Sequence, residues 1–194
     1  FLATLLGFRL AGEGVERVRD LQPPQGREQV FRATREFVER LAAGQPLVVL
    51  HPGAGGKRKQ WGAAQFAAVA AHLRRQWNAR ALFSEVPLDR EAVQAVLAAA
   101  PATGTRRIAL DNLRRLAAVL RRCHLFIGND TGITHLAAAA GVATVAIFQC
   151  TDPRAWAPRG PRVRVLEKPS PAEVSEAAEQ LLETSWKGSL THAR

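Results

Sequence analysis

The sequence of 194 residues contains no methionine or tyrosine, only two cysteines, and 6% aromatic residues. Cys123 and Cys150 lie far apart, each in an apolar context, which predicts small buried core residues of a cytosolic protein and argues against a disulfide framework. No Cys/His spacing indicates a zinc site. Because the chain begins with Phe1 and lacks methionine, we expect that its natural start is missing or has been processed.

Long apolar runs are also lacking. No run reaches the ~18 residues that a membrane-spanning helix needs, and residues 1–8 lack the basic start and cleavage site of a signal peptide. A hydrophobic content of 47% is nevertheless enough for a sizeable core, and the length fits one domain, or one domain with an appendage. These features predict a cytoplasmic protein.

Acidic residues are outnumbered. The chain has 27 Lys and Arg but only 17 Asp and Glu, which gives a net charge of +10. Such an excess can serve nucleic acid, an anionic membrane surface or an anionic substrate. The arginines are spread over predicted helix faces, and no basic stripe is interleaved with aromatic residues. We therefore expect no nucleic-acid partner and interpret most of the charge as solvated helix faces.

What the sequence does contain is a regular alternation of buried-strand and amphipathic-helix patterns. Short β-rich apolar runs alternate with segments whose apolar residues recur at helical spacing. This order predicts an α/β fold, a Rossmann-like parallel sheet with helices on both faces. The predicted strands cover residues 47–50, 81–83, 107–110, 125–127, 143–148 and 163–166, and the predicted helices cover residues 28–41, 63–76, 90–100, 113–123, 133–140 and 171–183.

The chain divides into an irregular linker with a connecting helix at 1–44, an α/β domain at 45–185 and a loose polar tail at 186–194. Local signals mark several helix ends. Gly44 and Gly141 are predicted to end helices, the latter as a left-handed cap. Asp89 and Asn112 are predicted to begin helices as N-caps.

The most informative segment is the strand–turn–helix at residues 125–137, with the sequence LFIGNDTGITHLA. Its turn places the carboxylate of Asp130, the hydroxyl of Thr131 and the glycine Gly132 at the carboxyl end of a strand, where an open α/β sheet usually binds its ligand. The free N–H groups of a helix start favour an anion, so we predict a phosphate-bearing ligand. The alternative is a simple capped turn in which Asp130 bonds helix N–H groups.

A second strand-to-helix loop, HPGAGGKRKQW at residues 51–61, is rich in glycine and lysine. Its glycines let backbone amides approach a ligand closely, although the Gly-Lys-Ser/Thr ending of a Walker loop is absent. The alternative is a flexible basic surface loop. Because both loops follow strands, they should lie at the same edge of the sheet. Lys59 and the helix start after Asp130 then converge on a diphosphate.

Three stretches of sequence together resemble the ADP-heptose:lipopolysaccharide heptosyltransferase family, glycosyltransferase family 9. They are Lys59-x-Trp61 with Phe66 in the helix that follows, the run from Phe126 to Gly141, and Phe148-x-x-Thr151-Asp152-Pro153-x-x-Trp156-x-Pro158. The similarity covers about residues 45–185. It implies the carboxy-terminal, nucleotide-sugar-binding half of a two-domain GT-B enzyme, whose amino-terminal half binds the acceptor and carries the catalytic base.

The resemblance further implies an inverting transferase without cofactor or metal. The donor would be a nucleoside-diphosphate sugar, with ADP-heptose expected, and the acceptor a lipopolysaccharide core or similar glycan. The positive charge would also suit peripheral contact with an anionic inner membrane. Two other functions stay open: a non-catalytic nucleotide-sugar-binding module from a truncated or degenerate transferase, and a basic protein that binds anionic surfaces.

Site residues follow from matching family positions. Lys59 matches a lysine that contacts donor phosphate and offsets charge on the leaving group, and Asp130 matches an aspartate beside the donor sugar; both are candidate catalytic residues. Glu85 is expected to reach a ribose hydroxyl. The remaining candidates for donor binding are Gly53, Ala54, Gly55, Thr131, Gly132 and His135, the last with a purely structural hydrogen bond as an equal alternative.

The sequence departs from the family pattern at three places. The usual glycine-rich acidic turn is replaced by residues 84–89, a usual proline by Gly62, and a usual glycine by Gln149. These departures leave the nucleobase and the sugar open, but they do not affect the predicted fold.

Overall fold

The computed structural model describes residues 8–11, 15–18, 36, 38–40, 42, 44–99, 106–109 and 113–191. Within these residues eight strands form one sheet. The strands are β1 Phe8–Ala11, β2 Val15–Val18, β3 Leu47–His51, β4 Arg80–Glu85, β5 Arg106–Ala109, β6 Leu125–Asn129, β7 Thr144–Phe148 and β8 Val163–Glu167. The α-helices are α1 Ala63–Trp77, α2 Arg90–Ala99, α3 Leu113–Leu120, α4 Gly132–Ala139, α5 Pro153–Trp156 and α6 Pro171–Thr191.

The strand order is β1-β2-β5-β4-β3-β6-β7-β8. β1 and β2 pair antiparallel, and the other neighbouring strands pair parallel. The chain therefore builds outward from β3 to β4 and β5 on one side, then returns to the centre and continues with β6, β7 and β8 on the other. This is the predicted Rossmann-like α/β fold.

The central strands are apolar because helices cover both faces of the sheet. Every residue of β3, β6 and β7 is buried, whereas most of β8, at the edge, is exposed. One core lies between the sheet and α1, α2 and α6, with Phe66 and Phe83 among its buried side chains. The other lies against α3 and α4 and includes Leu116 and Phe126.

Three predictions from the sequence were wrong. Residues 1–25 were expected to be irregular, but β1 and β2 lie there, too short and too polar to show a strand pattern alone. α6 continues to Thr191, so the predicted loose tail from 186 is helical up to that residue. Cys123 is buried as expected, but Cys150 is exposed, because it lies in the loop after β7.

The predicted helix ends are confirmed in part. Gly44 and Gly141 have the left-handed φ values of 75° and 79° that suit glycine after a helix. Asp89 instead ends a 3₁₀ turn, Pro87–Asp89, that leads directly into α2, and its carboxylate faces the interior. The predicted cap Asn112 lies outside the described residues, as does most of the predicted helix at 28–41. Residues 36 and 38–40 of that helix are helical, as is residue 42 just beyond it.

Candidate functional site

The two loops singled out in the sequence meet at the carboxyl edge of the sheet, where β3 lies beside β6. In an open α/β sheet, ligands bind at the point where the strand order reverses, and that point lies between β3 and β6 here. The turn after β6 leads into α4, and the glycine-rich loop after β3 leads through a 3₁₀ turn, Lys57–Lys59, into α1.

The two loops are joined by an ion pair. Lys59 Nζ donates to Asp130 Oδ2 at 2.8 Å, and Thr151 Oγ1, from the loop after β7, donates to the same oxygen at 2.7 Å. The Asp130 side chain is 7% exposed and that of Lys59 is 36% exposed. A partly exposed lysine side chain therefore pairs with a buried carboxylate, a position from which its ammonium group can contact an anionic ligand.

Asn129, which was not among the candidate residues, holds the glycine-rich loop in place. Its buried amide Nδ2 donates to the carbonyl oxygens of Pro52 and Gly53, at 2.9 and 3.2 Å, and its Oδ1 accepts from the backbone N–H of Trp61 at 3.0 Å. The sequence signal that could have found it is an asparagine at the end of an apolar strand, because an amide buried at such a position needs hydrogen-bond partners.

Trp61 closes the far end of this loop. Its indole is buried, donates from Nε1 to the carbonyl oxygen of Pro169 at 2.9 Å, and packs edge-to-face on Phe66 with ring centroids 5.1 Å apart. The Lys-x-Trp spacing thus has a structural cause. The tryptophan fixes the loop on the core, and Lys59, two residues earlier, projects toward Asp130.

The turn after β6 is capped by Thr131 and not by Asp130. The Thr131 hydroxyl accepts from the Thr134 N–H at 3.4 Å at the start of α4, so the alternative of Asp130 as the cap is wrong. Thr134 Oγ1 donates to the carbonyl oxygen of Asn129, which tightens the turn further. Gly132 and His135 are exposed. The first residue of α4, Gly132, is therefore open to solvent beside the ion pair.

The glycine-rich loop rests on a buried polar cluster. Gly53 lies so close to Asp89 that a Cβ atom there would be 2.1 Å from Asp89 Cγ, whereas nothing lies within 4 Å of a Cβ on Gly55. His51 Nε2 is 3.4 Å from Asp89 Oδ2, and His51 Nδ1 is 3.1 Å from Ser84 Oγ. Ala54 is half-buried and Gly55 exposed. The loop is therefore fixed at its start and open at its tip.

Burial sets the protonation of this cluster. It lowers the pKa of His51 to about 4, against a smaller opposing effect of the hydrogen bond to Ser84. Burial also raises the pKa of Asp89, and the nearby charge of Glu85 adds to this rise. His51 is therefore neutral at physiological pH.

Glu85, expected to contact a ribose, lies at the end of β4 with both oxygens beside guanidinium groups. Arg107 Nη1 donates to Oε2 at 2.8 Å, and Arg90 Nε is 3.5 Å from Oε1. Its side chain is only 4% exposed. Strand β3 stands between this carboxylate and the turn after β6, so Glu85 is not in the Lys59–Asp130 cluster.

An open cavity of about 600 Å³ lies beside the ion pair, at the ends of β7 and β8. No pattern in the sequence predicted this cavity. Gln149 Nε2 is buried there and has no hydrogen-bond partner among the described residues. The lining residues are Phe148, Gln149, Cys150, Thr151, Asp152, Pro153, Arg154, Glu167 and Lys168.

Within the part of the chain that the structure describes, no three His, Cys, Asp or Glu side chains come together as in a metal site. Over the same residues, no helix combines the length and the apolar character that crossing a membrane requires.

The chain is similar to known proteins in sequence and in fold. Residues 15–184 match the model of glycosyltransferase family 9 (heptosyltransferase). No curated protein matches the chain. Similar solved structures include the following three.

The first is the ADP-heptose lps heptosyltransferase II of E. coli, 23% identical with a TM-score of 0.72, the match covering 86% of this chain and 58% of that one. The second is the family 9 glycosyl transferase of Veillonella parvula DSM 2008, 27% identical with a TM-score of 0.67, covering 78% and 52%. The third is E. coli heptosyltransferase WaaC with ADP, 18% identical with a TM-score of 0.59, covering 76% and 48%. The chain thus spans about half the length of these proteins.

Proposed function

This chain belongs to glycosyltransferase family 9, the heptosyltransferase family, and we propose that it is the donor-binding half of an inverting sugar transferase. Its donor is a nucleoside-diphosphate sugar, with ADP-heptose as the first candidate, and its acceptor is a lipopolysaccharide core or a similar glycan. The observation that carries this proposal is the Lys59–Asp130 ion pair at the junction of β3 and β6. The likeness to E. coli WaaC with ADP supports an adenine nucleotide.

The donor diphosphate is proposed to lie over Lys59 and the start of α4. Lys59 supplies an ammonium group on a side chain that is about one-third exposed. The N–H groups of Gly132 and Ile133 belong to the first turn of α4 and favour an anion through their direction and the helix dipole. The two contributions come from loops that Asn129 and Trp61 fix in place, so the loop backbone needs little reorganisation on binding.

The reaction proposed is direct displacement at the anomeric carbon. An acceptor hydroxyl loses its proton to a base, its oxygen bonds the anomeric carbon, and the bond to the diphosphate oxygen breaks. Negative charge then collects on the departing diphosphate, where Lys59 and the helix-start amides stabilise it more strongly than in the ground state. Asp130 is proposed to accept hydrogen bonds from donor sugar hydroxyls. The base is expected in an acceptor-binding half outside residues 1–194, and neither metal nor cofactor is required.

Calorimetric titration with ADP, GDP and UDP tests donor binding. We expect ADP to bind most tightly and Lys59→Ala to weaken it about tenfold or more, the usual loss for a charge-assisted hydrogen bond. Lys57→Ala is the matched control, because Lys57 lies on the same 3₁₀ turn with 86% of its side chain exposed and points to Glu91 instead. Equal losses from both variants would indicate non-specific attraction to charge and contradict the proposal.

Turnover separates the donor-binding half from a complete enzyme. Supplied with ADP-heptose and an acceptor, the chain alone should bind donor yet transfer almost no sugar. Full acceptor-dependent transfer by the isolated chain would overturn the half-enzyme proposal. Binding with no transfer, even when an acceptor-binding half from a family member is added, would favour a non-catalytic nucleotide-sugar-binding module.

A further inference from the structure

One carboxylate oxygen receives hydrogen bonds from two separate loops. Asp130 Oδ2 accepts from Lys59 Nζ at 2.8 Å and from Thr151 Oγ1 at 2.7 Å. The three side chains follow three adjacent strands, β3, β6 and β7. Thr151 has no role in the proposed function, although its contact with Asp130 is the shorter of the two.

Two anionic groups, the Asp130 carboxylate and the donor diphosphate, compete for Lys59. In the free protein it pairs with Asp130, and a bound diphosphate carries more negative charge than a single carboxylate. As Lys59 turns toward the diphosphate, Asp130 loses part of its counter-charge while it stays 7% exposed. A buried carboxylate that loses a partner is strongly destabilised, so some other group must hold it for Lys59 to move.

Thr151 is placed to be that group, because the turn after β6 is tied to β7 independently of Lys59. The backbone N–H of Asp130 donates to the carbonyl oxygen of Ile147 at 2.9 Å, and Thr151 bonds the carboxylate from four residues further along the chain. Backbone and side chain of Asp130 are therefore both fixed to the same strand and the loop that follows it.

We propose that Thr151 is a positioning residue whose hydroxyl keeps the Asp130 carboxylate in place while Lys59 turns from Asp130 to the donor diphosphate. This inference rests on the proposed function. Thr151 then changes nucleotide affinity indirectly: its hydroxyl holds Asp130, and Asp130 in turn pairs with Lys59. Without the Thr151 hydroxyl, Lys59 is the remaining hydrogen-bond donor to Asp130 Oδ2 among the described residues. The ion pair then competes with the diphosphate for Lys59 and weakens nucleotide binding.

The test is calorimetric titration with ADP, which lacks the sugar and so reports on Lys59. Thr151→Val should weaken ADP binding about tenfold, since the hydrogen bond lost is to a charged group. Thr151→Ser, which keeps the hydroxyl, should stay within about twofold of the original affinity. Thr184→Val is the control, because Thr184 makes a local hydrogen bond to the Leu181 carbonyl on the distant helix α6.

A double-mutant cycle distinguishes positioning from a merely structural role. In an Asp130→Ala background Lys59 is free of its carboxylate partner, so adding Thr151→Val should change ADP affinity by less than about twofold. A tenfold loss in both backgrounds would mean that Thr151 contacts the ligand or supports the loop by itself. That result would overturn the inference, as would an unchanged affinity of Thr151→Val in the otherwise native chain.

Folding and function are checked separately. Each variant is compared by thermal melting first, and Thr151→Ala replaces Thr151→Val if the valine variant does not fold. If the folded native chain binds none of the three nucleotides, the proposed function fails and this inference fails with it. If ADP binds through Lys59 but the cycle shows no coupling between Thr151 and Asp130, only the inference fails.

Discussion

The amide of Asn129 joins the end of β6 to both ends of the glycine-rich loop, accepting from the Trp61 N–H at 3.0 Å and donating to the Pro52 carbonyl at 2.9 Å. Loop and strand are thereby held as one unit. The donor site proposed above depends on this connection, because Lys59 lies between the two anchoring points.

Asn129→Ala should therefore lower the free energy of unfolding by about 2–4 kcal/mol, since it leaves several buried backbone groups without a partner. Hydrogen exchange at the Trp61 amide should accelerate more than in the sheet. Gln94→Ala, an exposed amide on α2, is the control and should stay within about 0.5 kcal/mol. Urea unfolding gives both values, and similar losses in the two variants would show that Asn129 does not anchor the loop.

Gly53 and Gly55 offer a matched pair within that loop. Gly53→Ala places a Cβ atom 2.1 Å from Asp89 Cγ, whereas Gly55→Ala meets nothing within 4 Å. We expect Gly53→Ala to lower the unfolding free energy by about 1–3 kcal/mol through overpacking and Gly55→Ala to leave it unchanged. Urea denaturation of both variants measures this. Equal tolerance of both substitutions would mean that Asp89 moves aside freely.

The buried ion pair Arg107–Glu85 should contribute more to the free energy of unfolding than an exposed ion pair does. The Arg107 and Glu85 side chains are 9% and 4% exposed, so Arg107→Met strands a buried carboxylate and should cost about 3 kcal/mol of stability. Arg154→Met breaks the exposed pair with Asp152 and should have no measurable effect. Thermal and urea unfolding compare the two. A small loss for Arg107→Met would show that Arg90 alone can hold Glu85, which would leave one carboxylate oxygen free for a ribose hydroxyl.

Acid should destabilise the fold through His51. Its pKa falls from 6.5 to about 4 on burial, so between these pH values the unfolded chain takes up a proton that the folded protein does not. Stability is therefore complete above about pH 6.5 and is lost as the pH falls toward 4, by at most about 3 kcal/mol. His124, whose pKa burial also lowers, acts with the same sign. Asp89, whose pKa is raised, acts against it at the acidic end.

Urea unfolding at about pH 7, 6 and 5 measures this dependence. His51→Asn should flatten the loss between pH 6.5 and 5 relative to the native chain, with the residual slope due to His124. An identical pH dependence in both proteins would contradict the assignment of the effect to His51.

The parts of the fold that could be predicted from the sequence are those with strong local patterns. β3, β6 and β7 are continuous apolar runs because they are buried on both faces. The convergence of the two strand-to-helix loops was also predictable, and the Lys59–Asp130 contact confirms it. Ligand binding by these residues stays a prediction.

The rest depends on partners that local sequence does not reveal. Asn129 donates a hydrogen bond to Pro52, 77 residues away in the sequence. Thr151 reaches Asp130 only because β7 lies beside β6. Arg107 meets Glu85 through the parallel pairing of β5 with β4. Similarly, β2 is a strand because β5 offers an edge to pair with, not because its own four residues form a strong pattern.

Lys59 and Asp130 are separated by 71 residues, and they meet only because the chain returns to the centre of the sheet after β4 and β5 are in place. Contacts between segments so far apart form slowly compared with local helices and βα units. On a ribosome, the strands up to β5 can pair before Lys59 and Asp130 can meet. A refolding chain should thus complete the proposed donor site only after β6 has paired with β3, so an intermediate in which β3, β4 and β5 alone are paired should not bind nucleotide.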